Sequence, residues 1–419
     1  MPTSQLIKTN DGAHILLNNS QPFYIKGAGL EFAELETFAA AGGNTFRTWR
    51  VDNGSRDVIE LLDEAQRLGL SVCMGLDLAR ERHGFDYSDP KAVKAQTDAM
   101  MHDVERLKDH PALFMWGLGN ELNLRAKDLK VWNAVDQLAQ KIKAADPNHL
   151  VTTMLAGIDK PTIEAIKERA PSLDLLSFQI YGEIDQLPQI LKKVGYTGPY
   201  QVTEWGPTGH WESPETAWKR HIEPSSHDKA KDISRRYNEI ILRDKANCLG
   251  SYIFLWGQKQ ERTPTWYGVF LENGFETESV DVMHYIWNST WPENRTPQIQ
   301  SFKINNKTAY DDVILEAKRL QLYSKLINQL NKDFLFANID LDFDEDILPT
   351  SLKYLLHETI FKLIQEKFSD FLNLLYIIDV PERQVKEIDG SDALKLAEAI
   401  SFLILKREWQ KVWFRNNNA

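Results

Sequence analysis

The chain has 419 residues, of which 42% are hydrophobic and 11% aromatic, and its formal net charge is −11. This length fits one large domain with a smaller one, or two domains, and the apolar fraction can fill a sizeable core. The negative net charge argues against nucleic acid as a partner. The chain contains no run of about 18 apolar residues, so we expect no membrane-spanning helix.

Two further features concern the cellular compartment. The first residues lack a basic segment followed by an apolar core, so no signal peptide is visible. The two cysteines, Cys73 and Cys248, both lie within apolar runs. We expect them to be buried thiols and expect neither a disulfide nor a metal site.

Apolar, β-branched or aromatic runs recur through the first 300 residues, with helical patterns and glycines between them. Most of these runs are continuously apolar, as expected for parallel strands that are covered on both faces. Eight strand–helix units in this length predict a (β/α)8 TIM barrel, an α/β fold. A doubly wound sheet is disfavoured because the turn after the first run lacks the third glycine of a phosphate-binding loop. The predicted strands are Phe23–Leu30, Thr45–Val51, Ser71–Leu78, Leu113–Leu118, Leu150–Leu155, Leu175–Ile180, Tyr200–Thr203 and Leu249–Trp256.

The composition changes near residue 300. Of the 22 glycines, 21 precede this point. We therefore expect a boundary between about Pro297 and Asp311, with a barrel over residues 1–300 and a smaller helical domain over 311–419. Helical spacing predicts helices over Asp311–Asn331, Thr350–Ile378 and Ser391–Phe414. We expect this domain to be an independent helical bundle. Its role is unknown, and contacts with other proteins are an open alternative.

Polar and aromatic residues gather at the ends of the predicted strands, where barrel enzymes carry their active sites. Trp-Gly-Leu-Gly-Asn-Glu at 116–121 and Val-Thr-Glu-Trp-Gly-Pro at 202–207 each end an apolar run in a glutamate. A desolvated carboxylate is costly unless it has partners or a shifted pKa. Two such carboxylates fit the pair that flanks a glycosidic bond. The candidate site residues are Arg47, Trp49, Asn120, Glu121, Tyr181, Glu204, Trp205 and Trp256.

These motifs resemble the clan of retaining β-glycosidases built on a (β/α)8 barrel. The segment His110–Glu121 is similar to the catalytic barrel of family 2 glycoside hydrolases, and Gly43–Trp49 resembles secreted β-1,3-glucan-modifying enzymes. The resemblance covers roughly residues 20–297. It is weaker at the sixth strand, where the clan often has asparagine and this chain has Gln179.

The resemblance implies a double displacement with two glutamates. Glu121 would act as general acid and then general base, and Glu204 as nucleophile, with the carboxyl groups about 5–5.5 Å apart. Arg47 would keep Glu204 ionised by charge pairing, and Tyr181 could donate a hydrogen bond to it. Asn120 would bind the sugar 2-hydroxyl.

Aromatic side chains are expected to offer flat apolar faces to sugar rings. Trp256 is the main candidate, and Trp49, Trp205, Trp211 and Trp266 are weaker ones. The polar and aromatic loop at 257–268 follows the eighth predicted strand, so we expect it to contact substrate.

Three classes of function remain open. The first is a retaining hydrolase of a β-linked glycan, with a β-glucan favoured. The second is a transglycosylase that uses the same residues, and the third is a carbohydrate-binding barrel without catalysis. None needs a cofactor or a metal, and the resemblance favours a secreted or periplasmic protein.

Overall fold

The computed structural model describes residues 3–30, 35–52, 56–217, 219–297 and 309–417. The chain divides into two compact units, Met1–Gln298 and Ile299–Ala419. The boundary expected between Pro297 and Asp311 lies mostly outside the described residues. In the described ranges, no helix is long and apolar enough to cross a membrane.

The first unit contains a closed barrel of eight parallel strands, each paired with its neighbours in the chain and the eighth paired with the first. This confirms the predicted (β/α)8 fold. We number these strands one to eight in chain order. They are Ile25–Gly29, Thr45–Arg47, Ser71–Leu76, Leu113–Asn120, Leu150–Ala156, Leu175–Gln179, Tyr200–Trp205 and Cys248–Ile253.

The strand ends differ from the predicted ones in a way that matters for the site. Strand four continues to Asn120 and strand seven to Trp205, each beyond its predicted end. Strand eight stops at Ile253, three residues before the predicted end. Every residue of strands four and seven is buried. Strand four is accordingly apolar up to Asn120, whereas strand seven also buries the polar Gln201 and Thr203.

Helices cover the outside of the barrel. Several begin at an aspartate whose side chain accepts hydrogen bonds from the first-turn N–H groups, as Asp57, Asp89 and Asp159 do. The helix Ser226–Arg236 continues beyond Arg236 as a π-turn and a 3-10 turn. The α-helices are Leu35–Ala40, Val58–Arg67, Pro90–Leu107, Lys130–Ala145, Lys160–Arg169, Leu187–Val194, Ser226–Arg236 and Glu278–Asn288.

A small antiparallel sheet, which was not predicted, precedes the barrel. Its strands are Ser4–Lys8, His14–Asn18 and Gln21–Pro22. Leu16 from this sheet joins a buried cluster with residues such as Phe114 and Leu150, which start strands four and five. The sheet therefore packs against the N-terminal end of the barrel and leaves the C-terminal end open.

The second unit is helical, and its helices share one apolar core. The first two predicted helices are each broken in two. The break after Arg319 contains Gln321 with a left-handed φ of 58°, and Lys367 leaves helical geometry at the second break. The helices are Ala309–Arg319, Tyr323–Phe336, Pro349–Glu366, Phe368–Ile378, Glu382–Lys386 and Ala393–Asn417.

Candidate active site

A cavity of about 850 Å³ lies at the C-terminal end of the barrel strands. Both predicted catalytic glutamates line it. Its wall is rich in charged and aromatic side chains, which suits a polar ligand with apolar ring faces. The lining side chains used below are Trp49, Asp77, Arg80, Asn120, Glu121, Arg125, Gln179, Tyr181, Glu183, Glu204, Trp211, Glu212, Lys259, Glu261 and Tyr267.

Glu204 is the most heavily bonded carboxylate of the cavity. It lies on strand seven and is 6% exposed. Its Oε1 accepts hydrogen bonds from Arg47 Nη1 (3.2 Å), Trp49 Nε1 (3.0 Å) and Gln179 Nε2 (2.8 Å), and its Oε2 accepts one from the Tyr181 hydroxyl (3.0 Å). These four donors stabilise a negative charge at a fixed position.

Arg47 links the ends of strands two, four and seven. Its guanidinium is 1% exposed and donates to the main-chain oxygen of Thr203 as well as to Glu204. Its Nη2 also donates to Asn120 Oδ1 (2.8 Å), and Gln179 Nε2 donates to that same oxygen (2.6 Å). Because both donors hold the oxygen end of the Asn120 amide, its NH₂ end faces the other way.

Glu121 has a different environment from Glu204. Its backbone has a left-handed φ of 55°, which is unusual for glutamate and costs about 1–3 kcal/mol. Arg82 donates to its main-chain oxygen and, over 3.3 Å, to its Oε2. Burial raises the pKa of Glu121 and the nearby Glu204 carboxylate raises it further, whereas the Arg82 guanidinium acts against both.

Tyr181 stands between Glu204 and an aromatic cluster. Burial and the adjacent Glu204 carboxylate keep the pKa of Tyr181 well above its ordinary value, so the phenol stays protonated and donates. Its ring makes edge contacts with Trp211 and Tyr267, both at 5.4 Å between centroids. Trp211 is 57% exposed and presents apolar surface to the cavity.

Glu212 joins the loops that follow strands six and seven. Its carboxylate accepts hydrogen bonds from the main-chain N–H groups of Gly182 (2.7 Å), Glu183 (2.7 Å) and Gly209 (3.0 Å). A Cβ atom at either glycine would lie within 2.9 Å of Glu212 carboxylate atoms, so a larger residue there would displace the carboxylate that makes these bonds. This clamp fixes the loops that carry Tyr181 and Trp211.

The loop at 257–268 contributes Lys259, Glu261 and Tyr267 to the cavity wall. The partly buried Glu223 anchors it through hydrogen bonds from the hydroxyls of Thr263 and Thr265. The expected contact of this loop with substrate stays a prediction.

Three of the candidate site residues do not line the cavity. Arg47 is buried behind the wall, where it bonds Glu204 and Asn120. The other two are tryptophans. Trp205 is fully buried and stacks on Tyr237, at 5.9 Å between centroids. Trp256 is also fully buried and packs against Phe38 and Trp287. Because neither ring has exposed surface, the expectation that these tryptophans offer faces to sugar rings is wrong. Trp266, a weaker candidate, is 1% exposed and fails for the same reason.

The structure adds residues to the site that the sequence interpretation did not include. Gln179 bonds both Glu204 and Asn120, although it was noted only as a departure from the clan. Arg80 and Arg82 reach the main chain at the end of strand four. Both follow strand three directly, so the rule that strand ends carry function could have identified them. Within the described ranges, no group of three or more His, Cys, Asp or Glu side chains could hold a metal ion.

Part of the chain matches a known family. The family described as "Glycosyl hydrolases family 2, TIM barrel domain" matches residues 55–208, a segment that includes both glutamates. A curated relative, mannan endo-1,4-beta-mannosidase F of Aspergillus clavatus, is 45% identical over 144 residues. That match covers 31% of this chain and 32% of the relative, so this chain spans about a third of the relative's length.

Solved structures with the same barrel are more distant in sequence. A β-D-glucuronidase of Dictyoglomus thermophilum aligns with a TM-score of 0.52 and 18% identity, over 70% of this chain and 54% of that one. A β-glucuronidase of Bifidobacterium dentium gives 0.52 and 16%, over 68% and 49%. These likenesses show the fold. Together with the family match, they show that the first unit is a (β/α)8 barrel similar to the TIM barrel domain of glycoside hydrolase family 2.

Proposed function

We propose that the protein is a retaining glycoside hydrolase in which Glu204 is the nucleophile and Glu121 the general acid and base. One observation carries the proposal: two glutamates line one cavity of a glycosidase barrel in opposite electrostatic settings. Four side-chain donors bond Glu204, whereas burial and the Glu204 carboxylate raise the pKa of Glu121. Two carboxyl groups whose environments differ in this way suit a nucleophile and an acid.

In the first step, Glu204 attacks the anomeric carbon while the bond to the leaving oxygen breaks. Oε1 of Glu204 already accepts three hydrogen bonds and Oε2 only one, from Tyr181, so Oε2 has the free lone pair for attack. The proton of Glu121 moves to the leaving oxygen. Without that proton, the leaving group would depart as a costly alkoxide.

In the second step, Glu121 removes a proton from water, and the resulting oxygen nucleophile displaces Glu204 from the anomeric carbon. Two displacements at one carbon restore its original configuration. The NH₂ group of Asn120 faces away from Arg47 and is the donor that we assign to the sugar 2-hydroxyl. The exposed ring of Trp211 is the apolar platform that we assign to a sugar ring, in place of the buried Trp256.

The substrate class that we propose is a β-linked glycan. The named relatives are a mannanase and two β-glucuronidases. Their names do not favour the β-glucan expected from the sequence, so the glycone must be determined by assay. A panel of aryl β-glucosides, β-mannosides and β-glucuronides, together with mannan and β-glucan, covers these candidates.

The test compares the wild type with Glu204→Ala, Glu121→Ala and a control, Glu183→Gln. Glu183 is a carboxylate of the same cavity that has no role in the proposed steps. We expect each alanine variant to lose at least about 10³-fold in kcat and the control to stay within about tenfold.

Added azide then distinguishes the two roles by product stereochemistry. It should restore turnover in Glu204→Ala with formation of the α-glycosyl azide, because azide then attacks directly. In Glu121→Ala it should give the β-glycosyl azide, because azide resolves the covalent intermediate. Full activity of Glu204→Ala, or the same azide anomer from both variants, would contradict the assignment.

A further inference from the structure

Three arginines stand beside Glu121. Arg80 and Arg82 follow strand three, and Arg125 lies on the loop after strand four. Arg80 and Arg125 line the cavity, and Arg82 bonds Glu121. We call these three residues the arginine wall.

Arg80 and Arg82 have partners that fix them. Arg80 Nε donates to the main-chain oxygen of Asn120 (3.0 Å), and its Nη2 forms an ion pair with Asp77 (3.0 Å). Arg82 donates to the main chain and the carboxylate of Glu121. Each of these two cations therefore has one carboxylate as a counter-ion.

Arg125 has no counter-ion. In residues 3–30, 35–52, 56–217, 219–297 and 309–417 no carboxylate pairs with it and no hydrogen bond ties its side chain. The loop that carries Arg125 is tied down two residues earlier, where the Asn123 side chain exchanges two hydrogen bonds with the main chain of Ala156 at the end of strand five (2.8 and 2.9 Å). The loop thus presents an unpaired guanidinium at the cavity.

The arginines also act on one another. Burial lowers the pKa of Arg82, the Glu121 carboxylate raises it, and the positive charges of Arg80 and Arg125 lower it further. In ion pairs, these three guanidinium groups meet two carboxylates, those of Asp77 and Glu121, which leaves an excess of one cation. The nearby Glu81 carboxylate accepts hydrogen bonds from the main-chain N–H groups of Lys127 and Asp128 instead. When Glu121 carries the proton that it must donate, the excess of cations over their paired anions rises to two.

This excess of positive charge lies on the leaving-group side of the cleaved bond. Because Glu121 protonates the leaving oxygen, groups beside it face the leaving-group unit of the substrate. A gathering of cations without enough counter-ions favours an anion in that place. The planar fork of arginine also matches carboxylate and sulfate oxygens.

We propose that the leaving-group subsite takes a unit with an anionic substituent, a carboxylate or a sulfate, bound by Arg125 together with Arg80. This inference rests on the proposed function, because Glu121 defines the leaving-group side. The substrate class that follows is an acidic β-linked glycan with a uronic acid or sulfated unit next to the cleaved bond on its leaving side.

The test uses three aryl β-glycosides of the glycone that the panel identifies. They differ only in the para substituent of the phenol, which is a carboxamide, a carboxylate or a sulfonate. For each enzyme, the measured quantity is kcat/KM of an anionic substrate divided by that of the carboxamide. Comparing this ratio between enzymes removes the intrinsic difference in leaving-group reactivity.

We expect Arg125→Gln to lower the ratio about five- to tenfold relative to the wild type, as expected for one charge-assisted contact. The matched control is Lys259→Gln, which removes a cavity cation from the loop after strand eight, across the barrel from strand four. It should leave the ratio within twofold. Added salt should also lower the wild-type ratio, because exposed charges are screened.

If Arg125→Gln lowers the kcat/KM ratio for the carboxylate substrate alone, the subsite recognises uronic acids. If it lowers the ratio for the sulfonate alone, the subsite recognises sulfated units. A lower ratio for both substrates would mean that it recognises negative charge in general. An unchanged ratio in Arg125→Gln, with Glu204-dependent hydrolysis of the carboxamide, would overturn this inference and leave the proposed function standing. Lack of hydrolysis of every substrate would instead overturn the proposed function and this inference with it.

Discussion

Arg47 gives the sharpest test of the electrostatics of the site. We predict that Arg47→Met lowers the free energy of unfolding of the barrel by about 3–5 kcal/mol, because it leaves Glu204 buried without its cation. The two groups are 3.2 Å apart and their side chains are 1% and 8% exposed. Two unit charges about 4 Å apart interact by roughly 4 kcal/mol at an effective dielectric constant of 20. The three other donors to Glu204 offset part of the loss.

The size of the ion-pair contribution comes from a double-mutant cycle with Glu204→Gln. In that background Arg47→Met should cost only about 1–2 kcal/mol, because only its hydrogen bonds to neutral groups are lost. The expected coupling energy is therefore about 2–3 kcal/mol. Urea unfolding at pH 7, followed by tryptophan fluorescence, measures it, since ten of the 12 tryptophans lie before residue 300. Equal costs in both backgrounds, with unchanged m values, would refute the account of this pair.

Three further predictions concern pH and ligand binding. Arg82→Gln removes the cation that lowers the pKa of Glu121, so Glu121 stays protonated to higher pH. The basic limb of the kcat/KM profile should then move to higher pH, and an unmoved or lowered limb would contradict this role. Trp211→Ala should raise KM roughly tenfold with little change in kcat, because it removes apolar contact made equally in ground and transition states; a selective loss of kcat would contradict it. In the helical unit, burial raises the pKa of Glu408 to about 7. Because this carboxyl pKa is raised in the folded state, the free energy of unfolding falls as pH rises from about 4.5 to 7. Glu408→Gln should therefore stabilise the helical unit by up to about 3 kcal/mol at pH 8 and by much less at pH 4. Urea unfolding at the two pH values measures the difference.

The sequence was sufficient to predict the barrel because its signal is local. Buried parallel strands are continuously apolar, and chain order alone brings their C-terminal ends to one face. Arg47, Asn120, Glu121, Tyr181 and Glu204 are therefore found together as expected. The N-terminal sheet was not predicted, since its strands are short and mostly exposed.

The errors at the two tryptophans have different physical causes, and only the one at Trp205 could be recognised from the sequence. Successive side chains on a strand point to opposite faces, so a residue that follows the inward-facing Glu204 must point outward. Trp205 accordingly packs under Tyr237. Trp256 follows the end of strand eight, and its position depends on loop geometry and on helix packing against Phe38, which periodicity does not encode.

The contacts of Gln179, Arg82 and Glu212 were beyond the reach of the sequence for a similar reason. Each depends on the path of a loop or on the rotamer of a long side chain. The clamp of Glu212 on two loops requires distances set only by the folded chain. Strand order predicts which elements meet, but not which donors pair with which carboxylate.

The most direct measurement of the central claim is covalent trapping of the intermediate. A 2-deoxy-2-fluoro β-glycoside of the accepted glycone, with a dinitrophenyl leaving group, should form the glycosyl-enzyme but slow its hydrolysis, because the fluorine destabilises positive charge at the anomeric carbon. Proteolysis and mass spectrometry would then locate the sugar. The account predicts one sugar per chain, attached to Glu204. Attachment to Glu121, or no adduct from an enzyme whose product has inverted configuration, would contradict it.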